Sequence, residues 1–200
     1  MYHCSQLHLL PTASRRDLAA ALDEAHTKVQ AYGSSTALLG FLVGSHLLLS
    51  ALGDSRAMLV RWSCGRPAVV FKTGVSVHSF NTPYQFANVP KNLGHVPFVQ
   101  DTAADALHYC LEVEPGDLLI MGSDGLWDNL YDWEIVNLLG GSPTTAPKGI
   151  AEVIGQQAFL NSKAENAGPF QEAVHQACPG VQWRGGKVDD ITVLAARISP

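Results

Sequence analysis

The acids best placed for chemistry stand where apolar runs begin and end. Leu118 to Gly122 is almost wholly apolar, with Pro115-Gly116 before it and Ser123-Asp124-Gly125 after it. A short apolar run between turn residues reads as a strand buried on both faces. Asp124 therefore leaves a rigid strand, and Gly125 behind it lets the backbone turn sharply with no side chain in the way. Asp189 and Asp190 immediately precede another apolar run, Ile191 to Ile198. If the two strands are antiparallel neighbours, the end of one lies beside the start of the other. Asp124 then meets one of the later pair at one edge of the sheet. Carboxylates that close repel one another unless a cation neutralises them, and their oxygens suit hard ions such as Mg²⁺ or Mn²⁺. An Asp-Gly pair is also a favoured turn. On spacing alone, a metal site and two separate solvated turn acids stand level.

Other candidates carry less chemistry. Asp54, in Leu52-Gly53-Asp54-Ser55-Arg56, reads first as a turn acid. His78 and His95 lie in an irregular stretch, where a histidine is more often a surface group than an acid or base. Gly185-Gly186 could bring backbone amides up to a phosphate, though a plain turn is the commoner meaning. The sequence contains no phosphate-loop, nucleophile-elbow or His-Glu-x-x-His motif.

The elements that must position these residues follow from periodicity. Leu18, Ala21, Leu22, Ala25 and Val29 recur at helical spacing, so a helix is predicted from about Arg15 to Ala31, opened by a Ser14/Asp17 capping box. Strands are expected at Thr36–Val43, His46–Leu52, Ala57–Trp62 and Pro67–Phe71, joined by turns short enough to demand antiparallel pairing. Lys72 to Asp105, rich in Gly, Pro and Asn, reads as a long irregular segment. His108–Val113 reads as a strand in a hairpin with Leu118–Gly122. Helices are predicted at about Tyr131–Leu139, Ala146–Leu160 and Pro169–Ala177, the last with proline at a first helical position. Strand hairpins, then helices, then one strand make an α+β layered domain. Two facing antiparallel sheets with helices outside would bury the runs Leu38–Val43, Leu47–Ala51 and Leu118–Met121 on both faces.

Composition narrows the function. Two hundred residues, 46% hydrophobic and 16% charged, are one domain's length with apolar content enough for a core. The net charge is −5 and no Lys/Arg block occurs. A nucleic-acid groove or an anionic membrane surface thus has no electrostatic basis. An acidic protein that handled anionic substrates would need a metal to reverse the local charge. Cys4, Cys64, Cys110 and Cys178 are scattered, which argues for reduced intracellular thiols over a zinc knuckle or a stapled secreted fold. No apolar run approaches the ~18 residues of a membrane span.

Four ordered motifs carry a resemblance. They are Gly33-Ser34-Ser35-Thr36-Ala37, Leu52-Gly53-Asp54-Ser55-Arg56, Gly116-Asp117-Leu118-Leu119-Ile120 with Ser123-Asp124-Gly125-Leu126-Trp127-Asp128, and Gly186-Lys187-Val188-Asp189-Asp190-Ile191-Thr192-Val193. Together they resemble the metal-dependent protein phosphatases of type 2C, the PPM family. The stretch His78 to Gln85 is similar to the branch named after T-cell activation protein phosphatase and its plant relatives. The resemblance implies an α/β/β/α sandwich of two stacked antiparallel β-sheets flanked by helices, spanning residues 14–200, with 1–13 unassigned. It implies a metal-dependent protein serine/threonine phosphatase, in which a metal-activated water attacks phosphoserine or phosphothreonine of a phosphoprotein. Asp124 and Asp189 match the family's metal-binding, catalytic aspartates, with Mg²⁺ or Mn²⁺ as cofactor. The Gly125 backbone and Asp190, where many relatives have Asn, are further ligand candidates, and Gly53-Asp54 matches a structural turn.

One departure matters. The family's early Asp-Gly-x-Gly-Gly element, which carries the aspartate bridging two metals, has no counterpart upstream of Gly33. The chain therefore reads as truncated at its N-terminus, with an open sheet edge and at most one cation held with several waters. The alternative to an enzyme is a catalytically weak or inactive phosphatase-like binding module. An intracellular location follows from the cysteines, in the cytoplasm or, by analogy with the branch, in a mitochondrion or plastid.

Overall fold

The computed structural model describes residues 12–90, 100–140 and 145–199, with side chains from Asp17 onward. The elements in order are α1 (Thr12–Lys28), β1 (Gly33–Ser35), β2 (Ala37–Val43), β3 (His46–Leu52), β4 (Arg56–Ser63) and β5 (Arg66–Lys72). Three short strands follow, β6 (Val77–Ser79), β7 (Thr82–Pro83) and β8 (Phe86–Asn88). A 3₁₀ turn at Ala103–Asp105 leads to β9 (Leu107–Glu112) and β10 (Leu118–Gly122). Then come α2 (Asp124–Trp127), α3 (Asp132–Leu139), α4 (Pro147–Ser162), α5 (Pro169–Ala177) and β11 (Val193–Arg197). The expected fold class, α+β with antiparallel sheets and helices, is the one found. The described chain divides into two compact units, one within Met1–Ser55 and Gly74–Val113, the other within Arg56–Thr73 and Glu114–Pro200.

The first unit is built on the antiparallel sheet β2-β3-β9, with the two-stranded pairs β1-β8 and β6-β7 beside it. Helix α1 places Leu22 with Leu52, Ala103 and Ala106 in the core, which Ala19, Ala37, Leu39, Tyr84 and Phe86 complete. The expected hairpin of β2 and β3 is present, in register from Ala37 opposite Leu52 to Val43 opposite His46. The Ser14/Asp17 capping box falls outside the residues whose side chains are described, and helix α1 already runs from Thr12 rather than from Arg15. The apolar run Leu38–Val43 is not buried on both faces. Strand β2 lies at the edge of its sheet, and Phe41, Leu42 and Val43 are exposed.

The second unit carries the sheet β11-β10-β4-β5, antiparallel throughout. Its central strands explain the apolar run at 118–122. Leu118 and Ile120 are fully buried and pack with Met58, Val60, Leu126, Ile135 and Ile154 in the larger core. Each such side chain contributes about 1.5–3 kcal/mol. The three predicted helices form at nearly their expected bounds, and Pro147 and Pro169 each open one.

Two expected strand pairings fail. Strands β3 and β4 do not pair across Gly53-Asp54-Ser55 but lie in different sheets, and so do β9 and β10. At the first junction Gly53 takes φ +101°, and a Cβ there would stand 2.5 Å from Thr36 Cγ2 and 2.6 Å from the Tyr84 carbonyl. That crowding leaves no room for a side chain at the end of β3. At the second, buried Asp117 accepts two hydrogen bonds from Arg61 of β4, at 2.8 and 2.7 Å, and one from the Glu114 amide at 2.9 Å. This bidentate pair ties the start of β10 to β4.

Candidate active site at the ends of β10 and β11

The register of the second sheet sets the site. Gly122, the last residue of β10, lies opposite Val193, the first of β11, and opposite Arg56, the first of β4. The segments just outside these strands therefore meet at one end of the sheet, as the sequence reading required of Asp124 and Asp189. Ser123 stitches them together. Its amide donates to the Thr192 carbonyl at 3.2 Å, its hydroxyl donates to the Asp190 carbonyl at 3.2 Å, and the same hydroxyl accepts from the Thr192 amide at 3.1 Å.

Asp124 opens α2 rather than ending in a plain turn. Its Oδ1 accepts from the Gly125 amide at 2.9 Å, which leaves Oδ2 to accept from Lys187 Nζ at 2.6 Å. Asp128, at the other end of the same turn of helix, places Oδ2 2.9 Å from that nitrogen. Asp189 brings a third carboxylate oxygen to 3.0 Å, while its Oδ1 accepts from the Asp190 amide. Asp124 and Asp189 thus converge, and they do so around a lysine. The Lys187 ammonium also lies 5.1 Å from the centre of the Phe170 ring.

Burial alone would lower the Lys187 pKa, but its hydrogen bonds to Asp124, Asp128 and Asp189 outweigh that and raise it above the ordinary lysine value. Burial pushes the Asp128 carboxyl above its ordinary value, and the lysine opposes this without cancelling it.

The buried amide of Asn129 fixes the loop that bears Lys187. Its Oδ1 accepts from the Lys187 amide at 2.9 Å, and its Nδ2 donates to the Lys187 carbonyl at 2.8 Å and to the Gly125 carbonyl at 2.9 Å. The Gly125 carbonyl, a candidate ligand, thus already has one donor on it. Gly125 is required for close approach, not for a sharp turn. Its φ is not positive, and a Cβ there would stand 2.4 Å from the Asp190 carbonyl oxygen. Asp190 contributes that carbonyl, and its carboxylate is not among those paired with Lys187. Gly185 and Gly186 spend their amides on Gln171 Oε1 and the Ala164 carbonyl, so neither is offered to a phosphate. His78 belongs to the first unit, where it pairs with Asp101 at 3.0 Å and stacks on Tyr84. His95 lies outside the described residues.

Sequence reasoning missed Lys187, Asp128 and Asn129. One signal was available, since Asp124 and Asp128 stand four apart and so share a face of any helix. Three carboxylate oxygens directed at one cationic point form the donor set of a hard divalent ion. Yet among the described residues no group of three or more His, Cys, Asp or Glu is disposed to hold a metal ion by itself. The ammonium stands where the carboxylates converge. The donor chemistry fits Mg²⁺ or Mn²⁺; the closed arrangement around Lys187 does not.

The chain matches no family model. It is 32% identical to probable protein phosphatase 2C 80 of Arabidopsis thaliana, over 99% of this chain and 45% of that protein. It is 36% identical to the protein phosphatase PTC7 homolog of Xenopus laevis, over 94% of this chain and 61% of that protein. The X-ray structure of the photosystem II phosphatase PBCP superposes with a TM-score of 0.79 at 26% identity, covering 94% of this chain and 73% of that one. The chain spans about half the length of the curated relatives it matches. In sequence and in fold the chain is similar to protein phosphatases of type 2C, the type that its four motifs resemble. The proteins it is similar to include plant 2C phosphatases and vertebrate PTC7 homologs.

Proposed function

We propose that the chain carries part of the machinery of a metal-dependent protein serine/threonine phosphatase acting on phosphoserine or phosphothreonine in phosphoproteins. The observation that carries the reading is the meeting of Asp124 and Asp189 at one cationic point, from sequence positions far apart. The names of the relatives favour an enzyme over a non-catalytic module.

In this reading Asp124 and Asp189 would hold Mg²⁺ or Mn²⁺, with the Gly125 carbonyl and Asp190 as lesser candidates. When bound, the ion would supply an acidified water and screening of phosphoryl charge. The chain's own residues do the positioning. Ser123 locks the segments that carry both acids, and Asn129 ties the Lys187 loop to the Gly125 carbonyl. Gly125 lets α2 lie against Asp190, and Asp128 adds negative charge that draws a cation inward.

The test is hydrolysis of a phosphothreonine peptide with Mn²⁺, by the chain and by its Asp124→Asn variant. Turnover is expected to need the ion and to be lost in the variant. Turnover indifferent to both would place the chemistry elsewhere.

A further inference from the structure

Lys187 is the residue the phosphatase reading leaves unexplained. An ammonium has three N–H donors. Here the three carboxylates of Asp124, Asp128 and Asp189 lie at 2.6, 2.9 and 3.0 Å, enough to use all three. The nitrogen is largely withdrawn from solvent, its side chain 14% exposed. Such saturation is that of a counter-ion seated in a built cage, not of a surface lysine sampling several partners.

We propose that Lys187 is the built-in counter-cation of these aspartates, and that a divalent ion must displace its ammonium to take them. The inference rests on the metal reading given above. An ion bound at ~2.0–2.2 Å needs the same oxygens that the ammonium now holds. Two positive centres sharing those oxygens at such separations repel strongly in a partly dehydrated site. Occupancy is therefore exclusive: either the lysine or the ion.

The exchange has a defined moving part. Asn129 grips the amide and the carbonyl of Lys187, so its backbone stays in place. The four-carbon stem is left to rotate, and lysine stems are flexible. Because Lys187 is two residues before Asp189, one short loop supplies both the competitor and a ligand. Without an ion, the lysine holds three mutually repelling acids together. The apparent affinity for an ion is the intrinsic affinity scaled down by the fraction of molecules in which the lysine is unseated.

Titration calorimetry with Mn²⁺ tests this on the chain, on Lys187→Met and on Lys187→Arg. Lys187→Met, which keeps the stem and removes the charge, is expected to bind Mn²⁺ about 10- to 100-fold more tightly than the parent. Lys187→Arg, which keeps the charge, is expected to show no such gain. Equal or weaker binding by Lys187→Met overturns the inference and leaves the metal reading standing. No binding by any of the three proteins overturns both.

Reductive methylation of the unaltered chain gives an independent readout should the variant fail to fold. Lys148, whose side chain is 88% exposed, serves as the internal reference. Saturating Mg²⁺ is expected to raise labelling of Lys187 relative to chelator. Unchanged protection of Lys187, with Mg²⁺ binding recorded by calorimetry, overturns the inference.

Discussion

Asn129 holds Lys187 by both of its backbone polar groups, accepting from its amide at 2.9 Å and donating to its carbonyl at 2.8 Å. The amide side chain is 2% exposed, so water cannot replace these bonds. Asn129→Ala would strand the Lys187 amide and two carbonyls near the core. A loss of about 2–4 kcal/mol is expected, read as a lower urea midpoint at unchanged slope. A variant as stable as the parent would show that the loop finds other partners.

Gly125→Ala tests the close approach of α2 to the Asp189-Asp190 loop. Its methyl would fall 2.4 Å from a backbone oxygen that cannot rotate away. A cost of about 1–3 kcal/mol is expected, together with weaker Mn²⁺ binding as Asp189 is pushed outward. Thermal melts with and without Mn²⁺ report both effects.

Gly155→Ala is the contrasting case. In the middle of α4 a new methyl would rest 3.7 Å from Val193 Cγ2, an ordinary contact. Removing glycine's backbone freedom should stabilise the helix by about 0.5–1 kcal/mol. A lower melting temperature would mean that α4 and β11 fit more tightly than this spacing allows.

Arg61 is the counter-charge of Asp117, a carboxylate 1% exposed. Arg61→Met would leave that acid buried with, among the described residues, only the Glu114 amide donating to it. The expected loss is about 3–5 kcal/mol. The double variant Arg61→Met/Asp117→Leu should recover much of it, and the full double-mutant cycle measures the coupling.

The Tyr131 hydroxyl donates to Glu172 Oε1 at 2.6 Å. Burial, then this bond and the Glu172 charge, push its phenol up to about 12. A raised folded-state pKa means that the native chain keeps this proton longer than the unfolded chain. The associated stability is whole below the ordinary phenol value near 10 and is lost as pH rises through about 12. Ultraviolet difference titration should find one tyrosine ionising late. Glu172→Gln should bring it earlier.

The sequence disclosed what depends on local order. Apolar runs located the strands, Pro147 and Pro169 marked helix starts, and the placing of Asp124 and Asp189 around two such runs pointed to their meeting. It misled where a short turn joins strands of different sheets rather than a hairpin. The motif Leu52-Gly53-Asp54-Ser55-Arg56 reads as a tight reversal, but the crowding of Gly53 by Thr36 and Tyr84 comes from residues distant in the chain. Strand β2 looked like core because hydrophobicity records preference, not coverage; Phe41 to Val43 are as apolar as Leu47 to Leu49 but lie on an edge strand. Lys187 was passed over for a related reason. A lone lysine carries no pattern, and its part is defined only by the acids around it, two from one turn of helix at α2 and one from its own loop.

The pairing of β10 with β11 has a consequence for biogenesis. Asp124 arrives early in synthesis, whereas Asp189 and Lys187 wait for a strand made more than sixty positions later. Until Val193 zips beside Gly122, a nascent polypeptide owns half a cage and cannot sequester a cation. Ion capture would thus report completion of that last ladder, and a ribosome-arrested series lengthened through β11 should acquire it in a single step.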